Sequence, residues 1–66
     1  MQIVINGETR TLAQALTLVE LLDELNMGER RVAIELNGEI VPRTRYGATM
    51  LADDDKLLIV QAIGGG

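Results

Sequence analysis

Two Asn-Gly dipeptides, Asn6-Gly7 and Asn37-Gly38, stand on either side of one strong helical pattern, and in a chain of 66 residues that spacing leaves few folds open. Asparagine and glycine both tolerate the positive φ that a tight hairpin turn demands, so each dipeptide predicts a two-residue β-turn between antiparallel strands. Before the first turn, residues 2–6 place Ile3 and Ile5 on one face and Val4 on the other, a strand with apolar character on both sides. The threonine-rich residues 8–12 return from it. Before the second turn, residues 32–36 alternate cleanly, as a strand with one buried face does. Ile40-Val41 returns from that turn. Pro42 holds Val41 extended and has no N–H for a ladder, so pairing is expected to stop there.

Between the hairpins, Thr17 and Glu20 form a capping box. The threonine hydroxyl accepts from the N–H of residue 20, and the Glu20 carboxylate reaches back to the N–H of Thr17. Leu16 and Leu21 occupy the positions of a hydrophobic staple. Leu18, Leu21, Leu22 and Leu25 make one apolar stripe, with Glu20, Asp23 and Glu24 away from it. Gly28 is the expected left-handed residue beyond the helix.

Residues 43–50 predict an irregular stretch or a short helical turn with Tyr46 partly buried. The run Asp53-Asp54-Asp55 predicts a turn, and residues 56–63 are the most apolar run, as for a central strand covered on both faces. The order is two hairpins split by a helix, followed by one more strand. The first and last strands cannot be hairpin partners, but they can lie side by side and parallel at the sheet centre. The expected class is α+β, a ubiquitin-like β-grasp: a mixed sheet packed on one main helix. Residues 1–63 form the domain and residues 64–66 a glycine tail.

Composition narrows the chemistry. With 47% hydrophobic and 24% charged residues the chain is a folded globule, and one this small buries only about 60% of its unfolded surface. A net charge of −4 argues against nucleic acid or an anionic membrane as principal partner and suits a basic protein surface. There is no cysteine and no histidine, so disulfides, thiol nucleophiles and the commonest general base and metal ligand are excluded. The first residues lack the basic and apolar regions of a signal peptide, and no apolar run approaches a membrane span. A cytoplasmic protein is expected.

The sequence closes on Ala62-Ile63-Gly64-Gly65-Gly66. Three glycines make a thin, permissive arm after the strongest strand, and the residues beyond Ala62 reach about 13–14 Å when extended. The α-carboxylate of Gly66 is then the best candidate for covalent chemistry, performed on it by another protein. Attack of such a carboxylate on the α-phosphate of ATP gives an acyl-adenylate that a sulfur nucleophile can open. The plain alternative is a frayed end.

The stretch Thr17-Leu-Val-Glu-Leu-Leu, then Val32-Ala-Ile-Glu-Leu-Asn with Ile40-Val-Pro-Arg43, then residues 57–60 and the terminal glycines resembles the ThiS family of thiamine-biosynthesis sulfur carriers. The likeness runs the whole chain in order and length. It implies a carrier, not an enzyme, with Gly66 the residue adenylated and converted to a thiocarboxylate. It further implies recognition of Gly64 and Gly65 by a ThiF-type, E1-like adenylyltransferase. A sulfur-donor protein and a ThiG-type thiazole synthase would be the other partners. No cofactor would be bound by this chain, since ATP and magnesium are used by the activating enzyme. Within the class, a carrier for molybdopterin synthesis or tRNA thiolation stays open; outside it, a ubiquitin-like modifier or a passive interaction module does. One departure is the absence of a glycine within the aspartate turn, which leaves that turn's geometry open.

Other candidates read more plainly. Consecutive aspartates lack the spaced ligands of a calcium loop, so Asp53, Asp54 and Asp55 make a solvated turn and no metal is expected. Glu35 and Glu39 flank a tight turn as surface charges. Arg43 and Arg45 are solvated or partner-facing, and Met27 and Met50 are expected to fill gaps in the core. Finally, Leu58, Val60 and Ala62 share the parity opposite to Leu57, Ile59 and Ile63. One helix covers only one sheet face, so the first set predicts an apolar strip on the open face, a candidate partner surface. The alternative is that residues 42–50 fold over it.

Overall fold

The computed structural model describes residues 1–61. The strands are β1 (Gln2–Ile5), β2 (Glu8–Thr11), β3 (Val32–Leu36), β4 (Glu39–Val41) and β5 (Lys56–Gln61). A single α-helix, α1 (Leu18–Glu24), and a 3₁₀-helix (Arg43–Ala48) complete the described fold. The sheet order is β2-β1-β5-β3-β4. Both hairpins are antiparallel, β5 runs antiparallel to β3, and β1 and β5 lie parallel at the centre. This is the mixed β-grasp sheet that the order of elements predicts.

Both hairpin turns take the expected geometry, with φ of 51° at Asn6 and Asn37 and of 84° and 88° at Gly7 and Gly38. Each asparagine does more than turn the chain. The Asn6 side-chain amide donates to the carbonyl of Ile59 (3.1 Å) and accepts from the Ile59 N–H (2.8 Å). At the first residue of β5, Asn37 Oδ1 accepts from the Lys56 N–H at 2.9 Å, and the Asn37 N–H donates to the Lys56 carbonyl at 2.7 Å. Two turn residues, 31 positions apart in sequence (37 − 6), thus hold the same central strand.

The capping box forms as expected: the Glu20 N–H donates to Thr17 Oγ1 at 3.1 Å and the Thr17 N–H to Glu20 Oε1 at 2.8 Å. Such a cap is worth about 1 kcal/mol. Leu16 and Leu21 are both buried, as a staple requires. The helix end corrects the sequence reading. Asn26, not Gly28, takes the left-handed backbone, at φ 60°. The Asn26 N–H donates to the carbonyl of Asp23 (3.1 Å) and the Met27 N–H to that of Leu22 (2.8 Å), the paired bonds of a Schellman cap. Asparagine, with aspartate, is one of the few residues besides glycine that enter this region cheaply.

The core is Ile3, Leu12, Leu16, Leu18, Leu21, Leu22, Ile34, Tyr46, Leu51, Leu57 and Ile59. Tyr46 is buried rather than partly so, and its hydroxyl donates to the Val32 carbonyl at 3.3 Å. The 3₁₀-helix packs against α1, on the helix side of the sheet: the Leu18 N–H donates to the Thr49 carbonyl and the Leu51 N–H to that of Leu16. Met27 packs against the core, whereas Met50 is 58% exposed and fills no gap. Its backbone bridges Thr17, which turns the side chain outward.

The aspartate run is a built turn. Asp54 adopts φ 69°, a left-handed backbone that glycine takes most easily, so the turn forms with an aspartate there. Asp53 Oδ1 accepts from the Gln2 N–H at 2.7 Å and Asp55 Oδ2 from the Ala52 N–H at 2.8 Å, while Asp55 Oδ1 accepts from Asn37 Nδ2 at 3.0 Å. Two of the three carboxylates therefore have structural partners and are not merely solvated. They stabilise the strained residue between them.

Candidate functional site

β5 carries the site. Its side chains alternate strictly, Leu57 and Ile59 buried against the helix layer and Leu58 and Val60 exposed. The expectation that this strand is covered on both faces is therefore wrong, because the 3₁₀-helix joins α1 on one side and leaves the other bare. For the same reason residues 42–50 do not fold over the open face.

That face has a defined composition. Leu58 is 49%, Val60 60% and Ile40 76% exposed. In the sheet register Ile40 lies opposite Glu35 and Glu35 opposite Leu58, while Ala33 lies opposite Val60. Ile40 and Leu58 lie in one cross-strand row with Glu35 between them, and Val60 stands beside Leu58 two residues further along β5. At the turn end, Val4, Gly7, Glu35, Gly38, Lys56 and Leu58 line a shallow hollow on this face. Exposed apolar patches often coincide with contact surfaces, which makes this face a candidate. Glu39 is exposed at the sheet edge and Glu35 half-buried. They project from different positions of a hairpin and do not form a catalytic pair.

Gln61 is the last described residue of β5 and pairs with Val32. Ala62, Gly64, Gly65 and Gly66, all named from sequence, lie outside the described residues, as does Ile63. The strand that leads toward them is centred in the sheet and held by Asn37 at its first residue, Lys56, and by Asn6 at Ile59. Among the described residues no group of three or more Asp, Glu, His or Cys side chains is placed to hold a metal. No described helix is long and apolar enough to cross a membrane.

A profile of the ThiS family matches residues 3–66. The chain belongs to the ThiS family. Similarity to an Escherichia coli sulfur carrier protein ThiS extends over the whole of both chains at 35% identity. A crystal structure of a thiamine biosynthesis protein, ThiS, from Geobacter metallireducens superimposes with a TM-score of 0.85 at 35% identity, again covering both chains in full. The ThiS-like stretch also occurs within larger proteins. A thiazole synthase of Paramagnetospirillum magneticum is 48% identical over all 66 residues, which make up 20% of its length. The ThiS match includes the glycine end, so the family likeness covers the tail as well as the globule.

Proposed function

We propose that this chain is a sulfur carrier for thiamine thiazole synthesis and that its reacting group is the α-carboxylate of Gly66. Whole-length similarity to the E. coli sulfur carrier ThiS is the observation that carries this reading. The lack of cysteine and histidine supports it, because the chain has no side chain of its own suited to carrying sulfur. A carboxylate oxygen of Gly66 attacks the α-phosphate of ATP on a ThiF-type enzyme, and pyrophosphate leaves. The outer sulfur of a donor-protein persulfide then attacks the acyl carbon and AMP leaves, giving an acyl disulfide. A thiol attacks the donor's sulfur, closes a disulfide with it and releases the thiocarboxylate. The net change is one oxygen replaced by sulfur. The thiocarboxylate passes its sulfur to a ThiG-type thiazole synthase. That partner fits the occurrence of a ThiS-like stretch inside a thiazole synthase chain. All catalytic groups, ATP and magnesium belong to the partners, so the chain is a substrate and not an enzyme.

Incubation with a ThiF-type enzyme, ATP, magnesium and a sulfur donor, followed by mass analysis of the C-terminal peptide, tests the reading. Sulfur is expected in place of one carboxylate oxygen of Gly66. Sulfur on another residue, an unchanged terminus, or isopeptide-linked conjugates in place of a thiocarboxylate would overturn it.

The open face supplies the second expectation. Leu58→Asp and Val60→Asp should each weaken association with the activating enzyme by about tenfold or more, the loss typical of an apolar anchor. Both side chains are about half exposed already, so melting temperatures should stay close to that of the parent. Binding titrations beside thermal melts check this; unfolded variants would mean that the face is ordinary core.

A further inference from the structure

On the helix side of the sheet, Arg30 and Arg43 line one small hollow of about 170 Å³ with Val19, Leu22, Gly28, Val32 and Tyr46. They come from different elements, the loop after α1 and the start of the 3₁₀-helix, and stand 13 positions apart in sequence (43 − 30). The hollow's floor is apolar and, among the described residues, no carboxylate lines it. Asp23 and Glu29 line a neighbouring depression that shares Gly28 and Arg30, so Arg43 is the guanidinium farther from acidic company. Arg31 and Arg45 lie within two residues of the pair. Four of the six cationic residues of an acidic chain thus fall in these two short segments, while all ten carboxylate side chains except Glu29 lie outside them.

The place of this hollow gives it meaning. Val32 lines it and pairs with Gln61, the last described residue of β5. Cross-strand partners share a face, so the Gln61 side chain stands on the helix side next to the hollow. Arg30 and Arg43 therefore border the last described residue of β5, the one that leads into residues 62–66. A protein that holds the chain just beyond Gln61 meets this corner.

We propose that the Arg30–Arg43 hollow receives an acidic surface segment of the activating enzyme, a carboxylate placed between the two guanidinium groups with an apolar neighbour on Val19 and Tyr46. The inference rests on the functional reading above. Charge complementarity identifies the occupant: arginine forks match carboxylates two bonds at a time, and the rest of the carrier is acidic. The phosphates of ATP are the less suitable anion. Gly66 stands five positions beyond Gln61, up to about 17 Å of chain when extended, so a nucleotide meeting an extended tail at Gly66 lies beyond the reach of arginines at its base.

The test is adenylation kinetics with a ThiF-type enzyme, varying the carrier and ATP separately and repeating the series at rising salt. Arg30→Glu/Arg43→Glu should raise KM for the carrier about tenfold or more while kcat stays near that of the parent, since rim charges act on encounter and docking. The parent's KM should climb with ionic strength and the variant's should not. Arg10→Glu places one of the same charge reversals on β2, at the opposite sheet edge, and should leave KM near the parent value. If the reversed pair melts early, Arg30→Gln/Arg43→Gln replaces it, with a smaller rise expected in the same parameter. An unchanged KM for the carrier, an equal effect from Arg10→Glu, or a change confined to the KM for ATP would overturn the docking while leaving the carrier reading intact. Absence of adenylation in the parent would overturn both.

Discussion

Gly65→Val should lower adenylation by two orders of magnitude or more and leave the melting temperature where it is. The buried side chains of the described fold run from Ile3 to Ile59, and all five strands are formed within residues 2–61. A substitution at position 65 removes none of these contacts, so its effect on stability should fall within the roughly ±0.5 kcal/mol of a neutral surface site. The cost appears in the reaction. In the proposed mechanism the Gly66 carboxylate must enter a confined nucleotide site and meet the α-phosphate in line. Valine is branched at Cβ, narrows the accessible φ and ψ, and thickens the chain where the enzyme must close on backbone. A displacement of about 1 Å at a reacting centre costs on the order of a hundredfold in rate. Pyrophosphate release with purified activating enzyme, beside thermal melts of both carriers, is the measurement. Near-normal release from a folded variant would show that the glycines are not there to thread the carboxylate.

The largest effect on stability is expected from a turn residue. Asn6→Ala should destabilise the domain by about 2–4 kcal/mol, the sum of two broken bonds to partly buried backbone and the penalty of placing alanine at positive φ. β1 leaves the sheet at Ile5 while β5 continues to Gln61. The parallel ladder runs out with the Asn6 N–H donating to the Leu57 carbonyl at 2.9 Å. Beyond it the N–H and the carbonyl of Ile59 both bond to the side-chain amide of Asn6, which stands in for the missing strand residue. Alanine leaves both groups unpaired. In a domain of this size each kcal/mol moves the melting temperature by about 4–8 °C, so a fall of roughly 10 °C or more is expected. Asn6→Gly separates the two causes, because glycine accepts the φ of 51° but makes neither side-chain bond. A Gly variant as stable as the parent would show that the bonds to Ile59 contribute nothing.

That the largest stability effect sits at a residue first read as a turn signal shows how the two levels of information divide. Sequence alone determined the elements: Asn-Gly demands a tight turn, Thr17 with Glu20 starts a helix, Pro42 ends a strand, and the Leu-rich stripe has one face to bury. It also placed β1 beside β5, since two hairpins and a crossover helix leave the centre of the sheet to the first and last strands. Each of those signals acts within about four residues or through a simple period, and so can be read without coordinates. Tertiary structure decided what depends on neighbours distant in sequence. It chose Asn26 over Gly28 to close the helix, because the cap falls where the apolar stripe leaves the core. It sent the 3₁₀-helix to the helix side, which buried Tyr46 and left Leu58 and Val60 exposed. It gave Asn6 and Asn37 the same strand to hold, and it brought Arg30 and Arg43 into one hollow beside the end of β5. A local pattern specifies how a segment can fold and which face it must bury; only the packed sheet specifies which segment does the burying.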